Sequence, residues 1–427
     1  MNDNKSLLIH SNNIEESKDK NSKNIENTKN KSILVSKEIN INVANNNENC
    51  ILIENSKSTN EVEIDKPVIK KERIYWVEWL RILASILVVY NHCTGICLIG
   101  KEYKFGKYNW KVLFFQNSLC RSCVPFFLMI SGMFLLDPKK KKKSFKLMVT
   151  KYFYRIFKCY VFWSLYYNLF NEYVINVYNV KYTWNKELVK KTIMNIIKAN
   201  SCGHMWYLKL IMCLYLVTPI LRSILYKRKF ALTITLFLVF TCQFMVTSLR
   251  FWIPDNVYKF VDPFETAGSF TAYYMLGYFL KSHDFSNISK YFYYFVGFLG
   301  IALTEILRFL DCYIKKESSG LFGNYSSFNV TMSSVGLLIF FKYFVNERIK
   351  NIMKNESFKK VIVALSDCSF GVYLVHMTVY HLYVKFKLHT QTFNPLYWAF
   401  IYTAIIYTTS FVIIYLLRKI KIFRSFT

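Results

Sequence analysis

Beyond residue 70 the chain alternates long apolar runs with short, strongly polar connections, and the length of the runs decides the class of structure. A helix crossing the hydrocarbon core of a bilayer needs about 20 residues. Runs of that order recur near 76–99, 112–136, 152–175, 205–226, 230–250, 268–281, 291–310, 329–345, 361–386 and 396–417. A bilayer requires backbone groups to be bonded within the segment. The pattern therefore predicts an all-α integral membrane protein, a bundle of about ten transmembrane helices. The sixth run is short for a span, so an irregular or tilted segment is expected there. Residues 1–70 are different: polar, repetitive, rich in Asn, Lys, Ser and Glu. Such a stretch cannot bury enough apolar surface to offset its ordering entropy. It predicts a disordered tail (1–70) ahead of a transmembrane domain (71–427), with no short cleavable leader at the start.

The connections carry the orientation. Lys66–Arg73, Lys139–Lys143 with Lys146 and Lys151, Lys227-Arg228-Lys229, Lys342–Lys360 and Arg418–Arg424 all fall on one side of the predicted bundle. The positive-inside rule makes that side the cytoplasm. The opposite connections, 176–203, 251–267 and 311–328, are longer and less basic. Both termini then come out cytoplasmic, which requires an even number of spans. The run Lys139–Lys143 reads as a topogenic, anionic-lipid anchor, with direct contact to a charged donor as the other reading.

Composition changes this picture little. The chain of 427 residues is 53% hydrophobic, only slightly above the roughly 45–50% of soluble domains, so distribution rather than mean decides. The formal charge of +29 would suit nucleic acid were it not confined to connections between apolar runs, which excludes a soluble nucleic-acid binder. The eleven cysteines lie mostly in or beside runs, where they act as small hydrophobes. Cys120-Arg121-Ser122-Cys123 is a single CxxC without a second pair, so no metal is expected.

Candidate chemistry begins inside the first run. Arg81 and His92 are eleven positions apart, three turns and about 20°. They share one helix face, about 16 Å apart along its axis. Ionisable side chains in a span face protein or water rather than lipid, so this pair points to a reaction site. Glu78, three residues before Arg81, can pair with it on the same face. Glu305 and Arg308 form a similar pair in the seventh run; membrane cost turns them toward the bundle, but the sequence assigns them no role.

Five segments carry a resemblance. The first is Arg73-Ile74-Tyr75-Trp76-Val77-Glu78-Trp79-Leu80-Arg81, ending at His92, with an acidic residue three before an Arg and a His eleven after it. The second is Arg121-Ser122-Cys123-Val124-Pro125-Phe126-Phe127 through Ser131-Gly132, and the third Tyr154-Arg155-Ile156-Phe157-Lys158. The fourth is Gly203-His204-Met205-Trp206-Tyr207-Leu208 with Leu214 to Pro219, and the last Leu365 to His376 with Ser369-Phe370-Gly371-Val372-Tyr373. In this order, on runs of this polarity, they resemble the acyltransferase 3 family of bacterial multi-span membrane O-acyltransferases that modify cell-surface glycans. The family more often has Asp where Glu78 stands, which keeps the charge on a longer arm. Some relatives carry a soluble domain after the last span; this chain resembles the standalone branch.

The resemblance implies transfer of an acyl group, acetyl being expected, from acyl-CoA to a hydroxyl of a cell-envelope carbohydrate or lipid-linked glycan precursor, in a bacterial plasma membrane. Acyl transfer needs a base, an oxyanion stabiliser and a grip on the anionic donor. His92, whose imidazole titrates near neutrality, is the expected base, deprotonating the acceptor or briefly carrying the acyl group. Arg81 offers a planar fork for phosphate or oxyanion, oriented by Glu78 or merely salt-bridged to it. Arg121 and Arg155 are expected substrate- or donor-binding groups, Arg155 toward the phosphates of coenzyme A, unless they are snorkelling charges. His204 and Trp206 either line the acceptor site or belong to an interfacial aromatic belt. Tyr373 and His376 share a face, with His376 a substrate-side or a structural hydrogen bonder. Gly132, Gly371 and Ser131 read as small residues that allow close helix approach.

Two other functions fit the same physics. A transporter or flippase of an envelope saccharide suits ten spans with internal charges, although the inverted repeats common in transporters are not visible. A membrane sensor would use the tail as its signalling element.

Overall fold

The computed structural model describes residues 73–99, 105–139, 144–175, 186–250, 252–253, 255–317 and 320–427. The predicted tail 1–70 and Lys140–Lys143 lie outside these residues. Among the described residues every regular element is helical. In chain order they are α1 (Tyr75–Ile99), α2 (Tyr108–Ser118), α3 (Cys123–Leu135), α4 (Tyr154–Phe170), α5 (Lys186–Lys198), α6 (Trp206–Leu225), α7 (Arg228–Leu238), α8 (Asp255–Ser282), α9 (Asn287–Lys315), α10 (Phe328–Phe340), α11 (Glu356–Lys385) and α12 (Pro395–Leu417). Wider π-helical turns flank α4 and extend α7 and α10.

Seven of the helical runs are long and apolar enough to cross a membrane: Tyr75–Ile96, Tyr108–Leu135, Trp206–Leu225, Arg228–Leu249, Leu321–Ile352, Glu356–Lys385 and Pro395–Leu417. The chain is a multi-pass membrane protein of helices. The other three predicted runs are helical too, in α4, α8 and α9. Their hydropathy is diluted by charges such as Lys151 and Arg155 about α4, Asp262 and Glu265 in α8, and Glu305, Arg308 and Asp311 in α9.

Three local differences from the sequence reading have physical causes. The second run is not one rod: a turn at 119–122, closed by the Cys123 amide bonding the Cys120 carbonyl at 3.1 Å, separates α2 from α3. The sixth run is not short, because α8 is an unbroken helix of 28 residues. Its polar first half has low hydropathy, so 251–267 reads as a connection although most of it is helical. Polar connections also hold α5 and the end of α9, which stops where Lys316 turns left-handed at φ 55°.

Local chemistry fixes the ends of the two helices that matter most beside α1. The Asn355 side chain accepts from the Phe358 amide, with Glu356 in the first turn of α11; both suit the positive helix start. Asn394 caps α12 and Pro395 occupies its first turn, where a missing N–H costs nothing. α1 and α11 run parallel and in step. Trp79 meets Phe358 with ring centroids 6.1 Å apart, Arg81 meets Ser366, and His92 meets His376.

The tightest crossing joins α3 to α8. A Cβ on Gly132 would lie 1.8 Å from the Tyr274 carbonyl oxygen, and one on Gly277 would lie 2.0 Å from that of Met129. At Gly371 a Cβ would meet the Ile414 side chain at 2.4 Å, whereas the predicted role of Gly132 holds against backbone, with Gly277 as its reciprocal partner. These backbones approach as only small residues permit. Substituting Gly132→Ala is expected to cost about 1–3 kcal/mol through overpacking. It should be read as a lowered thermal unfolding midpoint of the detergent-solubilised protein; an unchanged midpoint would refute the crossing.

Candidate functional site

The unbroken α1 carries the two ends of the site. At its N-terminal end the first-turn Glu78 is buried. Arg81 Nη1 donates to Glu78 Oε2 at 2.9 Å and to Ser366 Oγ at 3.2 Å, and the Ser366 hydroxyl donates to the same carboxylate. The Arg81 side chain keeps 26% of its surface open, so the fork is held by one prong and free along the rest. Arg155, exposed on α4, shares this end: both guanidiniums act electrostatically on the Tyr215 phenol.

Three turns further along α1, His92 meets two more imidazoles. Its ring centroid lies 5.1 Å from that of His376 on α11 and 6.2 Å from that of His204, just before α6; His204 and His376 are 5.0 Å apart. His376 is oriented through Nδ1, 2.8 Å from the Tyr373 carbonyl, while its buried Nε2 makes no hydrogen bond. Neither buried ring nitrogen of His204 makes a well-aligned hydrogen bond, although the Leu374 carbonyl is close. The His204 backbone is pinned by the Tyr373 hydroxyl, which donates to its carbonyl. Buried polar atoms are normally satisfied, so these nitrogens are groups that a substrate can engage.

A cavity of about 50 Å³ opens beside them, bounded by His92, His204, Trp206, Tyr207, Tyr325 and Tyr373 among others. A water needs about 10–15 Å³ on this measure, so the cavity has room for a reacting group such as an acyl carbon with a hydroxyl. Its rim is aromatic: Trp206 lies against Phe270 at 5.7 Å and stacks on Tyr325 at 6.0 Å and 26°. Flat walls of this kind suit the apolar face of a sugar ring.

Arg121 reaches the same region from the turn before α3. It bonds the Asn117 side-chain oxygen and acts electrostatically on His92. The structure thus gathers His92, His204, His376, Tyr373, Trp206 and Arg121 at one level, and Glu78, Arg81 and Arg155 toward the other. Glu78 and Arg81 keep their ion pair, and His376 its hydrogen bond to the Tyr373 carbonyl, so these groups have structural contacts as well. Among the described residues, no group of three or more His, Cys, Asp or Glu side chains is placed to hold a metal ion.

Ser366, Asn91, Asn117 and Tyr325 were not candidates from sequence. Ser366 stands inside the segment Leu365 to His376, and Asn91 and Asn117 are amides within apolar runs. That alone is a signal, since a bilayer tolerates such groups only where they find partners. Tyr325 lies in a polar connection, and nothing in the sequence marked it.

Compared with known proteins, residues 74–415 match a family model described as an acyltransferase domain. No curated protein and no solved structure matches the chain.

Proposed function

The chain belongs to the acyltransferase 3 family of membrane O-acyltransferases, and on that premise we propose which groups it joins and how. The donor is cytosolic acyl-CoA, with acetyl the expected group. The acceptor is a hydroxyl of a cell-envelope carbohydrate or a lipid-linked glycan precursor, and the membrane is a bacterial plasma membrane. The observation that carries this reading is the cavity at His92 and His204, aromatic at its rim and backed by His376, on the same helix face as an Arg81 whose guanidinium is partly open.

All ten helical runs are taken to cross the bilayer, with the basic connections inside. Arg81 then lies near the cytoplasmic mouth and His92 toward the outer half. Coenzyme A is anionic, and two guanidiniums at one mouth complement it. Arg81, held by Glu78 and Ser366, grips the phosphates together with Arg155, while the thioester end extends about 16 Å along α1 to His92. The sugar rests on Trp206 and Tyr325 and offers one hydroxyl to the cavity.

His92 takes the hydroxyl proton as the oxygen attacks the thioester carbonyl. Arg121 meets the negative charge that develops on the carbonyl oxygen. The carbon–sulfur bond then breaks, and the departing thiolate receives the proton from the imidazolium. Ester and free thiol are the products, with no net proton consumed.

Label from radioactive acetyl-CoA outside the cytoplasmic face of proteoliposomes should become attached to a glycan-bearing lipid or oligosaccharide acceptor. Movement of the unlabelled saccharide across the bilayer with no acyl transfer would instead favour a flippase and end this reading.

A further inference from the structure

The pair Glu305 and Arg308, unexplained by the sequence, does not stand apart from the site. We propose that Arg308, acting through Asn117, is a positioning residue that fixes Arg121 beside His92. The proposal rests on the acyl-transfer reading above and adds to it a residue on a helix that touches neither substrate.

Arg308 is buried in α9 and constrained on every side. Its Nη1 donates to Ser118 Oγ at 2.6 Å and its Nη2 to Asn117 Oδ1 at 3.0 Å. The guanidinium lies 4.3 Å over the Phe114 ring. Behind it stands Gly323, where a Cβ would come within 2.8 Å of Arg308 Nε. A long, rotatable side chain is thereby reduced to one orientation.

Asn117 passes that orientation on. The oxygen that accepts from Arg308 also accepts from Arg121 Nη2. The amide nitrogen of Asn117 faces α1, 3.1 Å from both the carbonyl and side-chain oxygens of Asn91 and 3.0 Å from Thr94 Oγ1. Asn91 is the residue before His92 and borders the same cavity. Gly95 makes room for this contact, since a Cβ there would lie 3.1 Å from Asn117 Nδ2. One side chain therefore ties the backbone beside the base to the guanidinium opposite it.

Two guanidiniums on a single oxygen repel. Glu305, one turn before Arg308, interacts electrostatically with both Arg308 and Arg121. An oxyanion stabiliser works only if its donors are held in place before the charge develops. Arg121 by itself is a flexible arm on a turn. Asn117 and Arg308 supply the rigidity.

The test is a double-mutant cycle on the full chain in proteoliposomes, with acetyl-CoA and the native acceptor and with unfolding midpoints recorded alongside. Arg308→Lys keeps the charge but loses the two-pronged fork. It should lower kcat about tenfold and leave the donor KM unchanged. In an Arg121→Lys background the same change should add less than about twofold, because groups acting as one unit are not additive. Gly323→Ala, which crowds Arg308 without removing it, should lower kcat in the same direction should Arg308→Lys fail to fold. Equal losses from Arg308→Lys in both backgrounds would overturn the proposal while leaving acyl transfer intact. Wild-type protein that moves no acyl group would overturn both.

Discussion

Replacing His92 with Ala should lower kcat for acyl transfer by about a thousandfold, near the middle of the range for loss of a general base. That factor corresponds to about 4 kcal/mol of lost transition-state stabilisation. The donor KM should change little, because Arg81 and Arg155 lie some three turns away. The expectation follows from the arrangement around the ring. His92 is the one imidazole of the three that shares a helix face with Arg81, and Arg121 acts electrostatically on it. His376 is oriented by the Tyr373 carbonyl and His204 by its place in the turn before α6. Neither lies on α1, and neither should substitute for His92.

The same variant separates two roles that share a geometry. If His92 only deprotonates the acceptor, labelled donor without acceptor leaves no label on the protein. If it carries the acyl group, wild-type protein retains a hydroxylamine-labile label that His92→Ala lacks. A variant that turns over at the wild-type rate would remove His92 from the chemistry altogether.

Much of this arrangement is legible in the sequence, and the reason is covalent. The eleven-residue spacing of Arg81 and His92 fixes their common face as soon as the segment is helical, because helix geometry does not depend on neighbours. Glu78 is readable for the same reason, and so is the crowded approach at Gly132. What stays hidden is set by the partner helix. That Ser366 receives Arg81, that Asn117 faces Asn91, or that Arg308 ends beside Ser118 follows from how α11, α2 and α9 pack against α1, and no spacing along the chain encodes it. The turn at 119–122 and the full length of α8 are hidden for a different reason: hydropathy reports how apolar a segment is, and a polar half-helix reads as a connection. The aromatic rim combines both cases, with Trp206 inside a recognisable segment and Tyr325 supplied by a connection that carries no signal.

Replacing Arg81 with Lys is expected to raise the KM for acetyl-CoA by about ten- to a hundredfold. A charge-assisted contact to an anion is worth about 1.5–3 kcal/mol, and each 1.4 kcal/mol is a factor of ten. Lysine keeps the charge that Glu78 needs. The buried carboxylate therefore retains a partner, and the substitution avoids the 3–5 kcal/mol that an abandoned buried charge costs. What lysine cannot do is bond Glu78 and Ser366 while presenting a second edge to a phosphate, since its donors radiate from a single nitrogen. The outcome therefore depends on the donor. With S-acetylpantetheine, which lacks the nucleotide and its phosphates, the wild type should already be slow, and Arg81→Lys should slow it by less than about twofold, in keeping with a double-mutant cycle between a side chain and the ligand group it touches. An equal loss with both donors would mean that Arg81 holds α1 to α11 through Ser366 and does nothing to the donor. The cytoplasmic grip would then fall to Arg155 alone, and the reach of about 16 Å from Arg81 to His92 would no longer measure the path of the acyl group.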